Sequence, residues 1–191
     1  DGGKAFSEIV EGTKDGSIKA LYLLGADEFN AHAEIGWKCF TIYQGHHGDH
    51  GAARADVILP GSAYTEKDGI YLNTEGRVQF AKRAAFPPGD AKEDWKILRG
   101  LSEVLGQKLP YDTQIQLRNR IFDEFKHFAV ADEIAPAKWG KFGKKGKVAK
   151  DDFVNPILNY YMTNAICRAS DTMRACTLEL LETEDQLEAA E

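Results

Sequence analysis

The stretch Tyr43 to Arg77 reads YQGHHGDHGAARADVILPGSAYTEKDGIYLNTEGR, and its order of apolar runs and glycines decides the fold class. Asp56 to Leu59 reads as a short buried strand stopped by Pro60-Gly61, and Cys39 to Tyr43 as a second one that ends where the glycines begin. Working outward, Ile18 to Leu24 gives a third such run, closing on Gly25. Largely apolar runs of this length, separated by loops and helices, belong to a mainly parallel sheet covered on both faces. The fold class is therefore α/β.

Within the same stretch, Gly45, Gly48 and Gly51 follow a strand in GxxGxxG spacing. A dinucleotide turn needs GxGxxG with a helix opening behind it, so this signal is weak. A stronger expectation comes from topology, because ligands of open α/β sheets sit beyond the carboxyl ends of the strands. The loop falls there and belongs to a present or vestigial cofactor cleft. His46-His47-Gly48-Asp49-His50 carries metal-binding side chains, but neighbours in one loop rarely converge on a single ion and no distant cysteine or histidine pair completes a set. The favoured reading is a loop whose imidazoles hydrogen-bond backbone or partner groups.

Downstream, Glu66, Lys67, Glu75 and Arg77 flank Asp68-Gly69 and Asn73. Acid–base work would require one carboxylate to be desolvated, and an ion-paired turn is the commoner use of such a set. Residues 69–83 read as extended chain, with two short strands around Asn73-Thr-Glu-Gly76. Neither a Walker A sequence nor a GxSxG elbow occurs, no nucleophile stands out, and no catalytic or metal-binding residue is assigned.

Helices frame these strands. Phe6, Ile9 and Val10 open an amphipathic helix that ends in the Gly12–Gly16 region. Asp90, with Glu93 three residues on, reads as a capping box for a helix carrying Ile97, Leu98, Leu101, Val104 and Leu105 on one face and ending at Gly106 and Pro110. Thr113 caps the next, with Leu117, Ile121, Phe125 and Phe128 in one stripe. Residues 138–150 hold six lysines and no period, which predicts a loop. Beyond Phe153, Ile157, Leu158 and the Tyr160-Tyr161-Met162 triplet, Ile166 to Leu181 reads as a last helix before an acidic end. The expected domains are an α/β portion over 1–134, a lysine- and glycine-rich loop over 135–151 and a C-terminal extension over 152–191.

A formal charge of −6 argues against a dedicated nucleic-acid binder, and the lysine loop lacks the aromatic interleaving of one apart from Trp139 and Phe142. No apolar run reaches the roughly 20 residues of a membrane span, so direct membrane insertion is not expected. Cys39, Cys167 and Cys176 make no paired CxxC, which excludes an iron–sulfur or zinc centre built by this chain alone and predicts buried, reduced thiols. The chain opens Asp1-Gly-Gly with no initiator methionine, signal or transit peptide. A processed product, a separately encoded piece and part of a longer polypeptide all fit that start.

The series Ala55-Asp-Val-Ile-Leu-Pro60, Thr65-Glu-Lys-Asp-Gly69 and Asn73-Thr-Glu-Gly-Arg-Val-Gln79 resembles the molybdopterin oxidoreductase superfamily. Within it, Tyr43-Gln-Gly-His-His-Gly-Asp49 is similar to the largest iron–sulfur subunit of mitochondrial complex I rather than to a molybdenum enzyme. Agreement continues through Glu93-Asp-Trp-Lys-Ile97, Leu101-Ser-Glu103, Leu109-Pro-Tyr-Asp112 and Arg118-Asn-Arg120, and again at Tyr161-Met-Thr163 and Arg168-Ala-Ser170. It covers most of residues 18–173, with the lysine loop as the departure.

The resemblance implies a partial doubly wound, mainly parallel sheet of the molybdopterin oxidoreductase type with a helical C-terminal extension. It implies a structural, non-catalytic portion of that subunit in electron transfer from NADH to ubiquinone, on the matrix side of the inner mitochondrial membrane. Asn73, Glu75 and Arg77 are then vestigial cleft residues and this chain holds no cofactor. The 2Fe-2S and 4Fe-4S clusters fall in the N-terminal part of the subunit, and the partners are the remainder of that subunit and other peripheral-arm subunits. Two alternatives remain open. One is a fragment of an active molybdopterin oxidoreductase such as a formate dehydrogenase, with Asn73, Glu75 and Arg77 lining a pterin cleft. The other is a free-standing interaction module.

Overall fold

A computed structural model describes residues 3–134, 136, 138–141, 143–153 and 157–181. The chain divides into two compact units, residues 1–60 with 152–191 and residues 61–151.

The first unit is built on three parallel strands in the order β1 (Ala20–Leu24), β2 (Phe40–Gly45), β3 (Val57–Pro60). Ala20 stands opposite Phe40 and Ile42 opposite Val57, so the strands run in step and their carboxyl ends lie together. The apolar runs of the sequence thus become strands within a residue or two of their expected bounds. Helix α1 (Phe6–Asp15) precedes β1 and ends on Gly16 at φ 81°, the left-handed turn glycine adopts at little cost. Short helices α2 (Ala31–Glu34) and α3 (His50–Arg54) connect the strands. The core is small: Leu23, Ala31, Ile35, Cys39 and Tyr43, packed by Ile18, Leu21 and Phe29.

One polar lock secures the turn into β2. Buried Thr13 donates from its hydroxyl to the Val10 carbonyl at 2.7 Å and accepts the Gly36 amide at 3.0 Å. Arg54, 6% exposed, donates to the carbonyls of Gly36 at 2.8 Å and Cys39 at 3.1 Å. Such a buried cation is tolerable because backbone acceptors and Asp56, 3.9 Å away, surround it.

The second unit holds the antiparallel hairpin β4 (Gly69–Leu72) and β5 (Val78–Ala81), as the Asn73–Gly76 turn predicts. Helices α4 (Asp94–Val104) and α5 (Gln114–Glu124) follow. Thr113 caps α5 as expected: its hydroxyl accepts the Gln116 amide, and the Gln116 side chain accepts the Thr113 amide, each at 3.2 Å. Thr113→Ala removes one half of this reciprocal pair and is expected to cost about 1 kcal/mol, read as a lower midpoint in urea unfolding. A variant as stable as the parent would show that α5 does not depend on its cap.

The start of α4 differs from expectation. Lys92 is tied by a parallel bridge to Gly61, and its carbonyl accepts the Ser62 amide at 2.9 Å. That holds residues 91–93 extended, so the helix begins at Asp94 and Asp90 lies too far upstream to cap it. The Glu93 carboxylate accepts instead from the Trp95 indole and the Lys96 ammonium, each at 2.9 Å. Val104 and Leu105, expected on the covered face, are 84% and 68% exposed. Arg99 is the buried member of α4, bridging the Tyr111 carbonyl, Glu103 and Asp112.

The single helix expected over 166–181 is broken. Residues Ala165–Arg168 form α6 and Asp171–Cys176 form α7, with Thr177–Leu181 continuing as a π-helical turn. Ser170 restarts the chain as the cap of α7, its hydroxyl accepting the Met173 amide at 3.4 Å. The acidic end expected after Leu181 lies outside the described residues. Described residues of 138–150 have no regular secondary structure. Of the thiols, only Cys39 is fully buried, and Cys167 and Cys176 are half-buried, which corrects the expectation of three buried thiols.

Candidate functional site

At the carboxyl ends of the parallel strands, two loops meet. One follows β1 and carries Asp27; the other follows β2 and carries His46 to His50. Asp27 is 3% exposed and both its oxygens are engaged. One accepts the Gly51 amide at 2.6 Å, and the other accepts the Tyr43 hydroxyl. That hydroxyl also lies 3.0 Å from the His47 carbonyl. Burial, then the hydrogen bond and charge of Asp27, push the Tyr43 phenol well above its ordinary range. It stays protonated near neutral pH and acts as a donor, not as a base.

Asp49 caps α3, accepting the His50 amide at 2.8 Å, and binds the Arg168 guanidinium of α6. Arg168 donates further to the Asp27 carbonyl at 2.8 Å and the Met162 carbonyl at 3.2 Å. One cation from the C-terminal segment therefore ties both loops at the ligand end of the sheet. Burial pushes the Asp49 carboxyl up, but the hydrogen bonds from Arg168 and the His50 amide, with the charges of the Arg168 and His50 side chains, outweigh it and hold the group below its ordinary range.

A carboxylate with a depressed pKa stabilises the folded state above its unfolded pKa, and that contribution is lost as pH falls through the folded value. Asp49→Asn is therefore expected to unfold more easily than the parent at pH 7. The difference should begin to shrink below about pH 4, where the unfolded carboxyl protonates, and be lost as pH falls through the lower folded value. Denaturant midpoints at both pH values check this, and a pH-independent difference would remove the charge from the account.

The imidazoles do not converge on an ion. The Nδ1 atoms of His46 and His47 lie 2.6 Å apart, so one ring donates to the other. His50 keeps its ring 3.8 Å from Asp49. Among the described residues, no group of three or more His, Cys, Asp or Glu is placed to hold a metal ion.

The charged set of 66–77 falls into two separate arrangements. Glu66 accepts the Ala63 amide at 2.9 Å and Lys67 pairs with Asp94. Asn73, Glu75 and Arg77 are brought together in the hairpin turn. The Asn73 side-chain oxygen accepts the amides of Glu75 and Arg77, each at 3.0 Å, and its amide group faces Glu75 at 3.4 Å. Arg77 lies 3.5 Å from Glu75 and donates to the Asp132 carbonyl at 2.7 Å. Sequence reasoning missed Asp27 and Arg168 as partners of the His46–His50 loop. For Asp27 a signal existed, since it follows Gly25 at the end of a strand; for Arg168 there was none short of its place in a matching motif.

Residues 2–104 match the family model for molybdopterin oxidoreductase. The chain belongs to the molybdopterin oxidoreductase family. Residues 133–176, which include Arg168, match a second model, which describes the C-terminal region of an NADH-ubiquinone oxidoreductase subunit. Over 181 residues, 90% of its length, this molybdopterin oxidoreductase family member is 48% identical to the mitochondrial NADH-ubiquinone oxidoreductase 78 kDa subunit of Candida albicans. It is 46% identical over 177 residues, 91% of its length, to the NADH-ubiquinone oxidoreductase 75 kDa subunit of Reclinomonas americana. With the mitochondrial iron-sulfur protein 1 of the NADH dehydrogenase of Solanum tuberosum it shares 46% over 164 residues, 84% of its length. The chain spans about a quarter of the length of these relatives: 25%, 25% and 22%. The resemblance drawn from the motif series thus holds at both ends of the chain. The fold is a mixed α/β arrangement with a small parallel sheet, as that family implies.

Proposed function

We propose that the chain is the C-terminal portion of the largest iron–sulfur subunit of mitochondrial NADH:ubiquinone oxidoreductase, acting as a structural and non-catalytic part of the matrix-side peripheral arm. The observation that carries this reading is the Arg168 clamp. The segment that matches the NADH-ubiquinone oxidoreductase C-terminal model supplies a guanidinium that fills the ligand end of the sheet and binds Asp49 and the Asp27 carbonyl. A crevice closed by the chain's own side chain is a joint between elements. In this reading residues 1–134 are the family's α/β portion and continue a doubly wound sheet supplied by the rest of the subunit. Residues 135–151 are its lysine- and glycine-rich loop and 152–191 its C-terminal extension, whose Arg168 reaches the ligand end of the sheet.

The residues present do not fit a molybdopterin. Arg168, the cation at the carboxyl end of the sheet, spends its donors on Asp49 and on the Asp27 and Met162 carbonyls, so they are not offered to the cofactor's phosphate. Asn73, Glu75 and Arg77 spend their polar atoms on one another and on Asp132, which supports their retention as a turn. Iron–sulfur clusters would be carried by the subunit's N-terminal part, and the partners are the remainder of the subunit and its peripheral-arm neighbours.

Native purification of the polypeptide that carries this chain tests the reading. A large assembly with flavin, several iron–sulfur clusters and neither molybdenum nor tungsten is the expected result. Stoichiometric molybdenum or tungsten in that assembly would replace this reading with the formate-dehydrogenase-like alternative.

A further inference from the structure

At the opposite end of the same parallel sheet lies a groove of about 520 Å³ between the end of α1 and the residues leading into β1 and β2. Because the strands are parallel, this is the amino end, away from Asp27 and Asp49. Lys14, Lys19 and Lys38 line it, each from a different segment and each exposed. Asp15 is the one acid among the lining residues, so the groove is cationic on a chain whose formal charge is −6. Among the described residues none of the three lysines has an ion-pair partner, whereas Lys67, Lys96, Lys108 and Lys126 each do.

Trp37 stands in this groove, 71% exposed. Its ring has two packing partners: the Arg54 guanidinium lies 5.3 Å from the ring centroid and the His32 ring packs edge-on at 4.7 Å. An exposed tryptophan already packed on Arg54 and His32, in a groove lined by lysines, is suited to anchor an interface, since part of its side-chain freedom is spent before contact. Lysines contributed by three separate segments around one tryptophan suit an extended chain with several carboxylates better than one compact phosphate.

We propose that this groove docks an acidic segment of a neighbouring polypeptide, with an apolar side chain on Trp37 and carboxylates at Lys14, Lys19 and Lys38. The surface stands on the first unit alone and is independent of which assembly the chain serves.

Zero-length carbodiimide cross-linking of the natively purified assembly, followed by peptide mapping, tests it. The expected result is isopeptide links from at least two of these lysines to Asp or Glu residues in one segment of another polypeptide. The triple variant Lys14→Glu, Lys19→Glu, Lys38→Glu should weaken that partner's retention about tenfold, as like charge at a rim does, while Lys144→Glu with Lys145→Glu leaves it unchanged. Where charge reversal prevents assembly, Lys14→Gln, Lys19→Gln, Lys38→Gln removes the charge without reversing it. Three results overturn the proposal: acetylation of the lysines as fast in the assembly as in the separated subunit, links that run only to residues 179–191 of the same chain, or protection of the lysines by inorganic phosphate or a nucleotide alone. Loss of flavin and clusters from the purified assembly would sink the complex I reading and leave this one standing.

Discussion

Gly36→Ala is expected to lower stability by about 3–5 kcal/mol. A Cβ at position 36 would overlap the Thr13 carbonyl oxygen and sit 2.6 Å from its carbon and 2.9 Å from the Lys14 Cα. All three are backbone atoms at the end of α1, so no side-chain rotation relieves the clash. Separating them also pulls on the Thr13 hydroxyl that accepts the Gly36 amide and on the Arg54 guanidinium bound to the Gly36 carbonyl. The Cys39 carbonyl hangs on that same guanidinium, so the strain reaches the first residues of β2. For a unit of roughly 100 residues, such a loss corresponds to a Tm fall of about 15–25 °C. A fall of a few degrees would mean that α1 can slide away from this turn and that the close approach carries little of the fold.

The second large effect is expected from Arg168→Ala. The guanidinium and the Asp49 carboxylate are 19% and 16% exposed, so the substitution leaves a mostly buried carboxylate with only a backbone amide and a distant imidazole. It also strips donors from the Asp27 and Met162 carbonyls. Removing one partner of a largely buried pair costs about 3 kcal/mol, more than the pair itself is worth, because the orphaned charge keeps its desolvation cost. The double variant Arg168→Ala, Asp49→Asn should recover part of the loss, since the stranded charge is gone. Equal damage from the single and double variants would instead place the effect in the two carbonyls. Limited proteolysis adds a readout tied to the proposed role: with the clamp cut, residues 152–181 should become the first site of cleavage in the folded chain.

Much of this architecture was legible in the residues. Ile18 to Leu24, Cys39 to Tyr43 and Asp56 to Leu59 are largely apolar or β-branched runs with glycine or proline close behind them, and each holds most of a strand. The Thr113 cap and the Asn73–Gly76 turn find their partners within four residues, and the structure forms both. Reading failed where a distant group competed for the same atoms. Asp90 has the spacing of a cap, but the backbone of Lys92 is claimed by Gly61, 31 positions earlier, which delays the helix. Val104 and Leu105 continue the period of α4 past the last residue that another element covers, because periodicity records a face and not what packs on it.

The site shows the same division. That the His46–His50 loop lies at the carboxyl end of the sheet followed from strand order. That Arg168 reaches it from 119 positions away could not follow from any local pattern. The histidines drew notice because imidazole is a common ligand, yet the polar atoms that organise the loop are the Asp27 and Asp49 carboxylates and the Tyr43 hydroxyl.

Cys39 gives the first unit a built-in clock. Its thiol is 2% exposed, packed in the core beside Ile35 and Tyr43, and burial pushes its pKa up, so little nucleophilic thiolate is present in the closed state. The half-buried Cys167 and Cys176 have no such shelter. An alkylating reagent should therefore consume those two first and then wait on the rare openings that expose the third. The delay before the last label attaches measures how often the sheet parts from α2 in an otherwise untouched molecule, with no probe introduced and no substitution made.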